Sequence, residues 1–293
     1  MALSLASKAS GNGKYGDVTI TKPSSLAEGD LMIAFIASAT AGDSDSDKAH
    51  TGPSGWTKLQ GIVPNNGTIL TVWGVVATSA QTAATNFSWA SSATNSNTTG
   101  IIYRITGALA FGSLAINVDS ASGHSYDYPT ASFGGLTTEY DNALLLMCGA
   151  EEAAGGNVNF SNYVVANSNP TWTQQDDLYY EPSGVAINMA VASATYPTAG
   201  ATGNFSITMS RDGGDISGAL VAIYESQDST FNADPLVINA TLPNPTYTAD
   251  ANFTADPLVV TSTMPAETHS QTDHTWSNTD KSSAPSWVNK EKS

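Results

Sequence analysis

Short apolar runs separated by small polar residues set the rhythm of this chain. Leu31-Met-Ile-Ala-Phe-Ile36, Ile69-Leu-Thr-Val-Trp-Gly-Val-Val76, Ile101-Ile-Tyr-Arg-Ile105, Leu144-Leu-Leu-Met147, Val185-Ala-Ile-Asn-Met-Ala-Val191 and Leu220-Val-Ala-Ile-Tyr224 have strand length and are rich in β-branched and aromatic residues. The connecting segments, such as Ala90 to Gly100, are built from Gly, Ser, Thr, Asn and Asp. None carries an apolar face recurring every three or four residues, so the pattern predicts an all-β protein with little helix.

The runs recur in order. Gly29-Asp-Leu-Met, Gly55-Trp-Thr57, Leu70-Thr-Val-Trp, Asn86-Phe-Ser88 and Gly100-Ile-Ile-Tyr are followed by Asp141-Asn-Ala-Leu, Thr171-Trp-Thr173, Ala186-Ile-Asn-Met, Asn204-Phe-Ser206 and Gly218-Ala-Leu-Val. Trp56 precedes Trp172 by 116 residues, and Phe87 and Gly100 precede Phe205 and Gly218 by 118 each. Such nearly constant spacing predicts an internal duplication, with pseudo-repeats at about 14–110 and 125–226. The expected architecture is a jelly-roll-like β-sandwich over residues 1–228 made of two duplicated halves. Two sandwiches side by side are the alternative, and the single sandwich is preferred because about 110 residues of short strands make a thin core.

From residue 229 to 293 the character changes. Phe231-Asn-Ala-Asp-Pro-Leu-Val returns 22 residues later as Phe253-Thr-Ala-Asp-Pro-Leu-Val, and Trp276-Ser-Asn returns after 11 as Trp287-Val-Asn. Prolines closing each extended unit remove ladder donors and restrict pairing to edges, so the segment cannot build a private core. A solvated tail is the plain alternative. The regular anchors Phe231, Leu236, Phe253, Leu258, Trp276 and Trp287 point instead to an extended attachment or oligomerisation segment.

Charge narrows the partners. Ten Lys and Arg stand against 26 Asp and Glu, a formal net charge of −16, and that field repels nucleic acid and anionic headgroups. Charged residues make up only 12% of the chain, about half the usual share, while 35 Ser and 34 Thr supply its polarity. No apolar stretch reaches the ~18 residues of a membrane span. The first residues lack a positive region followed by a long apolar one, so no export signal is expected. The one cysteine, Cys148, lies in an apolar run and is expected to be a buried small hydrophobe.

Candidate chemistry is sparse. Gly11-Asn-Gly-Lys-Tyr-Gly16 matches a dinucleotide fingerprint, but a strand follows where the chemistry needs a helix, so it reads as a turn. Asp43, Asp45 and Asp47 place three carboxylates on alternate positions of a loop, the oxygen-rich arrangement of a structural calcium site, although Lys48 and Ser54 stand where a helix-loop-helix calcium motif needs Gly and Glu. Arg211-Asp-Gly-Gly-Asp215 is a weaker version and reads as a hairpin turn. No cofactor is expected otherwise. Hydrolysis would require a nucleophile with His50 or His124, or carboxylates from Glu151-Glu152, Asp176-Asp177 and Glu181, and no spacing singles any of them out, so no catalytic residue is assigned. Trp56, Trp73 and Trp172 read as core. Tyr126, Tyr128, Tyr179 and Tyr180 are expected to lie in polar loops and are the candidate binding residues.

The series Gly29-Asp-Leu, Gly55-Trp-Thr, Val72-Trp-Gly-Val-Val-Ala77, Asn86-Phe-Ser-Trp89 and Gly100-Ile-Ile-Tyr-Arg104 resembles a family of β-sandwich structural proteins encoded by tailed bacteriophages, many from marine hosts. The terminal Ala-Asp-Pro-Leu-Val and Trp-x-Asn-x-x-Lys-Ser units are similar to repeats that end other phage virion proteins. The resemblance carries no active-site residues. It implies a component of the virion surface, assembled in the host cytoplasm, as a fibre-like or receptor-binding element of the tail or a capsid decoration. Its implied partners are other capsid or tail proteins, sister chains and a host-surface glycan. A carbohydrate-binding adhesin and a polysaccharide depolymerase are the alternatives.

Overall fold

The computed structural model describes residues 3–14, 16–39, 50–62, 68–91, 97–107, 118–122, 129–153, 156–182, 184–210 and 216–225. All belong to the first of the two units into which the chain divides, Met1–Asn232; the second, Ala233–Ser293, lies outside the described residues.

The first half runs β1 (Ser4–Gly13), β2 (Val18–Thr21), β3 (Leu31–Ser38), β4 (His50–Thr51), β5 (Thr57–Ile62), β6 (Ile69–Val76), the short helix α1 (Ser79–Ala83), β7 (Asn86–Ser91) and β8 (Thr98–Thr106). The second half runs β9 (Val118–Ser122), β10 (Thr130–Phe133), β11 (Thr137–Thr138), β12 (Ala143–Ala153), β13 (Phe160–Val165), β14 (Thr173–Tyr180), β15 (Ala186–Tyr196), β16 (Gly200–Ala201), β17 (Phe205–Met209) and β18 (Ile216–Ile223). Every strand pair among the described residues is antiparallel. The protein is therefore all-β, as its pattern predicts.

Each half builds two sheets in the same order. The first half gives β1-β8-β3-β6-β5 and β2-β7-β4; the second gives β9-β18-β12-β15-β14 and β10-β17-β13, with β11-β16 as a small ribbon. Matching strand to strand makes the orders identical, and the registers agree. Phe87 pairs with Ile20 as Phe205 pairs with Phe133, and Gly100 pairs with Ile36 as Gly218 pairs with Gly149. The turn into β3 uses Gly29 at φ +88°, and the turn into β12 uses Asn142 at φ +58°. Both residue types tolerate the left-handed region.

The layering corrects the expected single sandwich. Each half closes its own two sheets, and the two five-stranded sheets then pack against each other, making four layers. The reason lies in the continuous apolar runs, because successive side chains on a strand point to opposite faces. Met32, Ala34 and Ile36 face the first outer core with Trp56, Phe87 and Trp89. Leu31, Ile33 and Phe35 face a central core shared with Leu146, Cys148, Met189 and Val221 of the second half. Leu145 and Met147 turn to a second outer core with Phe133, Phe160 and Phe205. A strand covered on both faces cannot alternate, so it reads as one unbroken run. The three-stranded sheets have one wet face, and their strands alternate, as β2 and β10 do.

Polar bonds pin the central seam at its ends. Asn97 Nδ2 donates to the Val185 carbonyl at 2.6 Å, and Ser217 Oγ donates to the Thr68 carbonyl at 2.6 Å. The two bonds are near-equivalents under exchange of the halves. At one edge Lys8 Nζ lies 2.7 Å from Asp176 Oδ2, which also accepts from Tyr103 Oη at 2.9 Å. Cys148 sits in this core as expected, and burial pushes its thiol pKa up.

Candidate functional site

The first outer core contains a buried run of polar side chains. Trp73 Nε1 donates to Thr71 Oγ1 at 2.9 Å; Thr71 Oγ1 meets His50 Nδ1 at 2.7 Å; His50 Nε2 meets Ser38 Oγ at 2.7 Å. Ser38 Oγ meets Thr98 Oγ1 at 2.7 Å, and Thr98 donates to the Gly16 carbonyl at 2.6 Å. A carbonyl only accepts, and this fixes every proton along the run. Thr98 spends its hydrogen on Gly16, so Ser38 donates to Thr98 and accepts from His50 Nε2–H. Burial, with Lys58 nearby, pushes the His50 pKa down to about 3, so the ring is neutral and its Nδ1 accepts from Thr71.

That order decides what the Ser38–His50 pair can do. A nucleophilic serine gives its proton to an unprotonated imidazole nitrogen. Here the nitrogen facing Ser38 carries the proton, and Ser38 and His50 are buried. The arrangement is a satisfied hydrogen-bond chain that closes one end of the sandwich. Ser38, Thr71 and Thr98 went unnoticed in the sequence. Their signal is a hydroxyl residue in or at the end of a largely apolar strand: Ser38 closing β3, Thr71 inside β6 and Thr98 opening β8.

The carboxylates of the second half take separate faces. Asp176 turns inward to Lys8 and Tyr103 at the central seam, while Asp177 turns to the outer face. Burial raises the Asp177 pKa, against a hydrogen bond from Gln174 that lowers it. Burial, then the charge of Asp177, raises that of Tyr163, whose ring lies against Trp172 with centroids 6.4 Å apart. Glu151 is fully buried and pairs in register with Asn188, whose Oδ1 accepts from Val158 N at 3.1 Å. Glu181 Oε2 accepts from Tyr179 Oη and from Gly156 N.

Tyr179 and Tyr180 end the strand β14 instead of lying in a loop as expected, and alternation along that strand separates the pair. Tyr179 is 41% exposed on the outer face, while Tyr180 leans against the central core. They do not form one platform. Trp56 is buried against Phe87 and Trp89, and Trp172 covers the matching place on the second outer core, so both pack as expected. Tyr126, Tyr128, Asp43, Asp45, Asp47, His124 and the anchors Phe231, Leu236, Phe253, Leu258, Trp276 and Trp287 lie outside the described residues. Among the described residues no group of three His, Cys, Asp or Glu is placed to hold a metal ion, and no helix is long and apolar enough to cross a membrane.

Two surface depressions lie among the described residues. One of about 490 Å³ runs between the Pro53–Gly55 turn, the end of β6 and α1. The other, about 380 Å³, is lined by Glu139, Tyr140, Asp141, Asn142, Ala199 and Glu225. The exposed Tyr140 ring there meets Tyr224 edge to face at 5.2 Å. Compared with known proteins, the chain matches no family model, no curated protein and no solved structure.

Proposed function

We propose that this chain is a structural component of a bacteriophage particle, displayed on its surface as a fibre-like or decoration element that meets the host. The supporting observation is how the body spends its chemistry. The one serine–histidine pair among the described residues is locked into a packing chain, and Asp176 ties the two halves together. A body of this kind carries load and surface. Its strand traffic, alternating between a 1-8-3-6-5 sheet and a 2-7-4 sheet in each half, supports the jelly-roll-like reading. The acidic, hydroxyl-rich composition suits a protein working in open solution. In this reading residues 229–293 attach the body to the particle and to sister chains.

One observation favours an adhesin role for the same body. Tyr179 presents an exposed ring braced by Glu181, an aromatic face beside a carboxylate of the kind that stacks on and hydrogen-bonds a sugar. A depolymerase would need a second carboxylate across the bond to be cleaved from Asp177, and its neighbour Asp176 faces the other side of the sheet.

The test is incorporation. Particles assembled with the full chain are expected to retain it through density-gradient purification, and a chain lacking residues 229–293 is expected to be lost. Absence of the full chain from purified particles would overturn the virion assignment. A glycan array probed with the full chain and with Tyr179→Ala separates adhesion from passive display.

A further inference from the structure

The two outer cores have the same register and different contents. Where the first half has His50, Thr71, Trp73 and Thr98, the second has Phe160, Ala190, Ala192 and Ile216 at the matching pairs, and Glu151 holds the position that matches Ser38. The hydrogen-bond chain therefore belongs to the first half alone. It can be satisfied with one proton arrangement only. A proton added at Nδ1 would face the Thr71 hydroxyl, whose hydrogen would lose its acceptor, and would bury a positive charge in an apolar layer.

Both ring nitrogens of His50 bond to hydroxyls and neither to a carboxylate; Asp17, on the chain leading into β2, has its Oδ1 taken by the backbone N of Ser91 at 3.2 Å. β3, β6 and β8 face it with Ser38, Thr71 and Thr98, β7 pairs with it through Ser91, and the charged side chain acting on it is Lys58 of β5, also positive. We propose that the His50 chain is an acid-sensitive lock on the first outer sandwich, so that acidification parts β2, β7 and β4 from the five-stranded sheet and uncovers the Trp56, Phe87 and Trp89 cluster while the second sandwich stays shut.

The sign follows from linkage. An unfolded or opened His50 titrates near 6.5, and the closed one near 3. Above pH 6.5 both forms are neutral and the lock is indifferent to pH; below it the open form gains a proton that the closed form refuses, so closure weakens as pH falls. The raised pKa of Asp177 works the other way in the second half, favouring closure as pH falls.

Amide hydrogen exchange on the full chain, corrected for intrinsic rates, tests this. Between pH 7 and pH 4.5 the opening constants of β4 and β7 are expected to rise roughly 100-fold, the ratio set by the two titration points, with β13 and β17 changing far less. Nitrogen NMR of the imidazole is expected to show the neutral Nε2–H tautomer at pH 4.5. His50→Gln, which keeps one donor and one acceptor, is expected to abolish the rise; if that variant fails to fold, the wild-type exchange and NMR results decide. Equal loss of protection in both halves, a His50 titrating near 6.5, or an unchanged rise in folded His50→Gln would overturn the proposal.

Discussion

The first and second halves share strand order and register, yet their outer cores are filled by different principles. The first is closed by a tryptophan cluster and a hydroxyl–imidazole chain; the second uses phenylalanines, alanines and isoleucine, with carboxylates at its margin. Backbone ladders, which involve no side chain, fix the topology. Side chains need only fill the space and satisfy each other's polar atoms, so a duplicated module can change its contents while keeping its frame.

The comparison breaks most visibly where a single large side chain is removed. Trp89→Ala takes a fully buried indole from the first outer core and is expected to cost about 4 kcal/mol, against about 3 kcal/mol for Ile207→Ala at the matching position. Urea midpoints at constant slope measure both. A near-zero cost for Trp89 would show that this layer is not a packed core.

The paired glycines sharpen the contrast further. A Cβ at Gly218 would lie 2.5 Å from the Phe133 ring, which packs on Phe205 and has nowhere to go; at Gly100 it would meet the mobile methyl ends of Ile36 and Ile20 at 2.6 and 2.9 Å. Gly218→Ala is expected to lower stability by about 3 kcal/mol and Gly100→Ala by about 1 kcal/mol. The reverse ranking in thermal unfolding would show that the two positions are not packed as described.

Smaller effects belong to the seam and the surface. Asp176→Ala leaves the largely buried Tyr103 hydroxyl without its acceptor and should cost about 2 kcal/mol, whereas Lys8→Met, at a half-exposed ammonium, should cost less than about 1 kcal/mol. Thr78→Ala removes the capping box of α1, a helix with no counterpart among the described residues of the second half, for about 1 kcal/mol. Tyr179→Ala should leave the unfolding midpoint unchanged, so a larger shift would mean that its ring packs rather than presents.

Strand positions and the duplication were legible because apolar spacing and repeated landmarks are local features of the chain. The four layers were legible in principle. Leu31 to Ile36 and Leu144 to Met147 are apolar at every position, and a two-layer sandwich with wet outer faces has no use for that. What the sequence could not show was which hydroxyls His50 would find, since Ser38, Thr71 and Thr98 come from three separate strands. The split of Asp176 from Asp177, and of Tyr179 from Tyr180, follows from strand alternation once β14 is recognised as a strand rather than a loop.

The near-exchangeable bonds from Asn97 to Val185 and from Ser217 to Thr68 have a last implication. Two separate chains joined through such a face would part on dilution, because their association depends on how often they meet. Tethering both partners in one polypeptide replaces that encounter with a fixed local concentration on the order of millimolar. The paired body therefore holds together however thinly the protein is spread.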